Sequence, residues 1–180
     1  MRSVLSSGQP AESDRVSQHV GTRAAAFLGV VLVTLAGARA ATAAEFVGTS
    51  PCGAVAREFL GVPKAEKCDM IKWQLSVSPQ AETKTYKLTA TYGLLDESGQ
   101  RLVGGGTTVT LGGVLNVRKG ARHDENAAVY EIRHPHSRAV LRFVVLNDNL
   151  IHLTDREGAL VAGNEFWSYT LNRKGVGGTH

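Results

Sequence analysis

The chain has 180 residues and a formal net charge of +4, from 20 Lys plus Arg against 16 Asp plus Glu. Four of the basic and two of the acidic residues fall in residues 1–44, which leaves the remainder near +2 with the signs interspersed. Without a basic block, an aromatic–basic stripe or a basic amphipathic helix, the charge names neither nucleic acid nor a membrane surface as a partner.

The first element is apolar. Ala24 to Ala38 reads AAAFLGVVLVTLAGA, without a charge, after Arg15 and Arg23 and before a run of small residues ending at Ala44. A basic stretch, a short apolar core and an A-x-A-like exit describe a secretory signal peptide. A membrane span needs about 20 apolar residues, more than this run offers. The expected cut follows Ala44, with Thr42 and Ala44 as the small flanking residues. Residues 1–44 are therefore read as the signal and 45–180 as a single domain, exported to the periplasm or the exterior. No cysteine follows the cut directly, so no lipid anchor is expected. No stable membrane anchor is expected after cleavage either. The polar leader before Arg23 is longer than a signal needs, so a start further in, at Val16 or Val20, is an alternative.

Cys52 and Cys68 are the only two cysteines. In an oxidising compartment such a pair forms a disulfide. The reactive alternative is weakened because redox pairs are typically C-x-x-C, and Cys52-Gly53-Ala54-Val55 is not. Ser50 offers an N-cap and Pro51 a first helical position, so a helix is predicted around Val55, Phe59 and Leu60. It ends at Gly61 and is blocked by Pro63. Cys52 then falls in its first turn.

Beyond it the pattern has period two. Ile71, Trp73, Leu75 and Val77 share one face of a strand. Tyr86, Leu88, Ala90 and Tyr92 do the same in the next, after a turn over Pro79 to Thr83. Asp96 to Gly106 reads as a glycine-rich loop. Thr107 to Arg118 is one long strand, or two broken at Gly112-Gly113. Ala127 to Arg133, Arg138 to Leu146, Leu150 to Thr154 and Phe166 to Leu171 follow, with turns at Asn147–Asn149 and Asp155–Gly158. Seven or eight short strands without a βαβ rhythm predict an all-β fold. The expected architecture is a small antiparallel meander barrel with one short helix, apolar on one face of each strand. Such a barrel is filled by side chains or holds one small ligand.

Chemistry is sparse. His134-Pro135-His136 is the metal candidate: two imidazoles flank a rigid residue, with His123 in a preceding loop. The plain alternative is a proline turn with solvated histidines, and His180 reads as tail. His152 lies in a strand without a serine or cysteine partner, and no G-x-S-x-G is present. Gly104-Gly105-Gly106 lacks the G-K-[ST] ending of a phosphate loop. No carboxylate pair is set by spacing for glycosidase-type work. Trp73, Tyr86, Tyr92, Phe143, Trp167 and Tyr169 serve either as core or as the lining of a cavity.

Some stretches carry a family resemblance. Phe46-Val47-Gly48-Thr49-Ser50-Pro51-Cys52-Gly53 opens the domain and a W-x-L strand follows. Then come K-x-Y-x-L-x-A-x-Y at Lys84–Tyr92 and L-x-H-L-x-D at Leu150–Asp155. Together they resemble the lipocalin-like N-terminal domain of NlpE-type bacterial envelope proteins, and Gly163–Arg173 looks like the ending of an uncharacterised branch of exported proteins. The resemblance implies a lipocalin-like barrel and an envelope location. Val55 stands where that family's second cysteine belongs, so its C-x-x-C metal handling does not transfer.

The expected function is a non-enzymatic exported envelope protein that binds a small ligand or an envelope protein, without a cofactor, and stress-related among the options. The alternatives are a copper or zinc protein using His134 and His136, and an inhibitor of a secreted hydrolase. An enzyme using His152 as a base is the remaining reading.

Overall fold

The computed structural model describes residues 43–79 and 83–175. The apolar segment Ala24–Ala38 and turn residues 80–82 lie outside the described residues. The described residues form nine strands and one α-helix: β1 (Ala44–Pro51), α1 (Ala54–Leu60), β2 (Met70–Pro79), β3 (Lys84–Gly93), β4 (Thr107–Val114), β5 (Asn116–Ala121), β6 (Asp124–Arg133), β7 (Val140–Asn147), β8 (Leu150–Thr154) and β9 (Thr170–Arg173).

The strands make one curled antiparallel sheet in the order β4-β3-β2-β1-β9-β8-β7-β6-β5. Its two outermost strands, β4 and β5, are separated in sequence only by Leu115. They are two halves of one bent strand, the first pairing with β3 and the second with β6. At the bend the Leu115 N–H donates to the Lys84 carbonyl at 2.8 Å. The Tyr86 hydroxyl reaches the Arg133 carbonyl at 3.4 Å, and the Lys84 ammonium lies 5.8 Å from the Tyr130 ring centroid. The chain thus links the far edges of the sheet and makes it barrel-like, as the alternating pattern predicted. Curling the sheet so that its edges meet limits the backbone left open to other chains.

The interior is apolar because every second residue of its central strands is. Ile71, Trp73, Leu75 and Val77 of β2 join Leu88 and Ala90 of β3, Phe143 of β7 and Ile151 and Leu153 of β8 in one continuous buried cluster. Trp73 and Phe143 meet edge to face at 6.4 Å. The indole N–H of Trp73 donates to the fully buried Ser50 hydroxyl at 2.8 Å. The predicted core aromatics Tyr86, Tyr92 and Tyr169 are buried in the same cluster, whereas Trp167 is only half-buried.

Several boundaries differ from the sequence reading. Ser50 and Pro51 do not start the helix: they end β1, paired with Ile71 and Met70. Eight pairings with β2 override a local capping preference. The N-cap is Gly53, in an extended conformation with no side-chain cap, so Cys52 precedes the helix. The C-terminus is as expected, with Gly61 left-handed at φ 70°. The break in the long strand falls at Leu115, where its pairing partner changes, and not at Gly112-Gly113. The last strand is Thr170–Arg173, and Phe166 lies before it, exposed. The Asp96–Gly106 loop holds a single 3₁₀ turn.

Candidate functional site

The outward face of β6, β7 and β8 is where the structure departs from a simple barrel. Tyr130, Ile132, Leu141, Phe143, Ile151 and Leu153 point into the core. Their neighbours Val129, Glu131, Arg142, Val144, His152 and Thr154 therefore stand on the other face. That face would be solvated in a plain barrel, yet Val129, Glu131, Val144 and Thr154 are buried. Registration aligns Glu131, Arg142 and Thr154 in one cross-strand row. The segment after β8 covers part of this face. The Val161 N–H donates to the Leu153 carbonyl, and the Arg122 N–H donates to the Gly158 carbonyl at 3.2 Å. The second bond ties the Asp155–Gly158 turn to the tip of the β5–β6 hairpin.

Glu131 is the centre of a charge cluster. Its carboxylate is 1 % exposed and accepts from three arginines: Arg118 Nη1 at 3.1 Å, Arg142 Nε at 3.1 Å and Arg133 Nη2 at 2.5 Å. Burial opposes its charge, but the hydrogen bonds from Arg142 and Arg118 and the charge of Arg133 outweigh that. They hold the carboxyl below the usual carboxylate range. Three guanidinium groups on one carboxylate leave the cluster with two positive charges in excess.

Two cavities meet at Arg142 and Arg156, which line both. The larger, about 540 Å³, is a groove between α1 (Val55, Glu58, Phe59), the start of β7 (Ala139, Val140) and the turn at Asp155. Its floor is apolar and its rim charged. Arg156 pairs with Glu58 across it, joining the turn after β8 to the helix. The helix is seated by Ala56, Phe59 and Leu60, all buried, and by Arg57, whose Nη2 donates to the carbonyls of Pro63 and Glu66 at 2.7 and 2.8 Å. The smaller cavity, about 160 Å³, lies beneath the Asp155–Gly158 turn, with Arg118, Arg142 and Thr154 on its wall.

Cys52 and Cys68 are joined in a disulfide, with Cα atoms 5.8 Å apart. It pins the entry of α1 to the approach to β2. His134 and His136 sit on the β6–β7 turn, ring centroids 6.1 Å apart. The backbone N–H of His136 donates to His134 Nδ1 at 3.2 Å, and His134 packs edge-on against Phe59. Among the described residues no group of three His, Cys, Asp or Glu side chains gathers there or elsewhere. His123 lies apart, exposed in the β5–β6 turn. His152 is held at both nitrogens: Nδ1 meets the Thr170 hydroxyl at 2.8 Å and Nε2 the Val161 carbonyl at 3.0 Å. A carbonyl only accepts, so the network assigns a proton to Nε2. This ties β8 to β9 and to the covering segment.

Sequence reasoning missed Glu131, Arg118, Arg142 and Thr154. Their only local signal was a glutamate between Tyr130 and Ile132 in an apolar strand. The partners that make it a site come from β5, β7 and β8. Compared with protein-family models, curated proteins and solved structures, the chain matches none of them.

Proposed function

We propose that this chain is an exported, non-enzymatic envelope protein that binds a small ligand or a partner surface in the groove between α1 and the start of β7. The observation that carries this reading is where the open space lies. The barrel interior is occupied by one continuous apolar cluster, whereas the groove of about 540 Å³ falls within the size range of ligand sites. Its apolar floor of Val55, Phe59, Ala139 and Val140 and its charged rim of Glu58, Arg138, Arg142 and Arg156 suit an amphipathic ligand. The helix wall is fixed by the disulfide and by Arg57, so the groove is preorganised. The disulfide is compatible with an oxidising compartment. That supports the export read from Ala24–Ala38 and the envelope location implied by the resemblance to NlpE-type proteins.

Native mass spectrometry of the oxidised protein recovered from its exporting compartment tests the reading. A chain beginning at Glu45 and carrying extra mass, with the extra mass lost in Ala139→Trp, is the expected result. Bare chain, together with unchanged capture of partners by Ala139→Trp, would remove the groove as the site.

A further inference from the structure

We propose that the smaller pocket, beneath the Asp155–Gly158 turn, is a binding site for a small inorganic oxyanion, phosphate or sulfate. The inference stands apart from the reading of the groove: the ligand class differs, and although Arg142 lines both cavities, Thr154 and Arg118 line this pocket and not the groove. Its first support is Thr154. This side chain is 2 % exposed, lines the pocket, and its hydroxyl has no hydrogen-bond partner among the described residues. A buried hydroxyl without a partner is costly, so such a group calls for an acceptor or donor from outside the chain.

The second support is charge. Arg118 and Arg142 share the pocket wall with Thr154 and belong to the cluster in which three guanidinium groups face the single carboxylate of Glu131. Each keeps donors in hand. Arg118 uses Nη1 on Glu131, while Arg142 uses Nε on Glu131 and Nη1 on the Arg156 carbonyl at 3.5 Å. Guanidinium forks match the paired oxygens of an oxyanion. The nearby acids are mostly engaged. Glu58 pairs with Arg156, and Asp155 Oδ1 accepts from the backbone N–H groups of Glu157 and Ala159. Among the described residues Glu157 is the carboxylate on the pocket wall itself, and it is exposed. The third support is size: about 160 Å³ takes an oxyanion and its water but falls below the roughly 300 Å³ where drug-sized ligands begin.

The test is thermal unfolding of the oxidised protein with inorganic phosphate or sulfate, against chloride at matched ionic strength. Titration calorimetry with the same two anions accompanies it. The expected result is saturable stabilisation by phosphate or sulfate tighter than about 1 mM, with Tm rising several degrees at a hundredfold excess. Thr154→Val, which keeps the shape, is expected to unfold at the same or a higher temperature without anion. It should lose about tenfold or more in affinity, as should Arg118→Gln. Glu157→Gln is expected to bind more tightly. No saturable effect below about 10 mM, meaning water alone occupies the pocket, would overturn the proposal. So would loss in Arg118→Gln with Thr154→Val unaffected, which would place the anion outside the pocket. Which of the two anions binds more tightly identifies the physiological class.

Discussion

Ser50 is buried completely although it is a serine, and Trp73 explains why. The indole needs an acceptor once it is inside, and the Ser50 hydroxyl supplies it at 2.8 Å while donating to its own strand at Pro51. Ser50→Ala leaves that indole N–H unpaired in the core and is expected to cost about 1–3 kcal/mol in urea unfolding. Gly53 is constrained from outside its own chain segment. A Cβ there would collide with the Tyr169 hydroxyl, so Gly53→Ala must displace either the entry of α1 or the Tyr169 ring. Glu131 sets a pH dependence. Its folded carboxyl titrates below the unfolded value of about 4.3, so it contributes stability that is present above that pH. The contribution is lost as pH falls through the folded value. Urea midpoints measured from pH 7 downward should therefore fall below about pH 5, and Glu131→Gln should flatten that slope. At pH 7 the same variant is expected to be about 1.5–3 kcal/mol less stable, the range for hydrogen bonds to a charged group. Arg118 and Arg133 are largely exposed and rehydrate, which keeps the loss from being larger, whereas Arg142 is mostly buried.

At the scale of elements, α1 is seven residues long and could not persist alone in water. It is held by Ala56, Phe59 and Leu60 beneath and by the Cys52–Cys68 bridge before it. Replacing both cysteines by serine releases a loop that the chain-entropy treatment values at about 3 kcal/mol. The expected outcome by calorimetry is a Tm lower by roughly 10 °C, with the groove beside Val55 and Phe59 loosened. The elements that could be read locally were those whose own side chains declare a buried face. Ile71–Val77 and Tyr86–Tyr92 alternate cleanly, and both strands stand where expected. β5 reads Asn-Val-Arg-Lys-Gly-Ala, with no apolar face, and only its pairing with β6 makes it a strand of its own. Phe166 and Trp167 imitate a strand but precede it, because the chain there folds back on itself through the Asn164 side chain. That side chain accepts from both of their N–H groups. The Glu131 site was illegible for the same reason: Arg118, Arg142 and Thr154 come from three other strands, and nothing local to any of them announces the meeting.

For the molecule as a whole, closure depends on two thin joints. One is Leu115, buried at 4 % exposure, where the two outermost strands of the sheet become one chain. Leu115→Ala is expected to cost about 2–5 kcal/mol by chemical denaturation. It should also weaken hydrogen-exchange protection at Lys84–Tyr86 before it does so in β2. The other joint is β9, four residues long, seated between β8 and β1 with Phe46 opposite Arg173 and Val47 opposite Asn172. Here the backbones approach so closely that a Cβ on Gly48 would stand 2.8 Å from the Thr170 carbonyl.

That second joint governs when the molecule can finish folding. A chain made from its N-terminus produces β1 first and must wait for nearly the whole remaining sequence before the strand that covers its free side exists. During that interval the backbone of Phe46 and Val47 is open to any passing strand, and the wait cannot be shortened by strengthening local turns. Such a nascent molecule needs either a companion that shields this edge until Arg173 arrives or surroundings dilute enough that no neighbour finds it first.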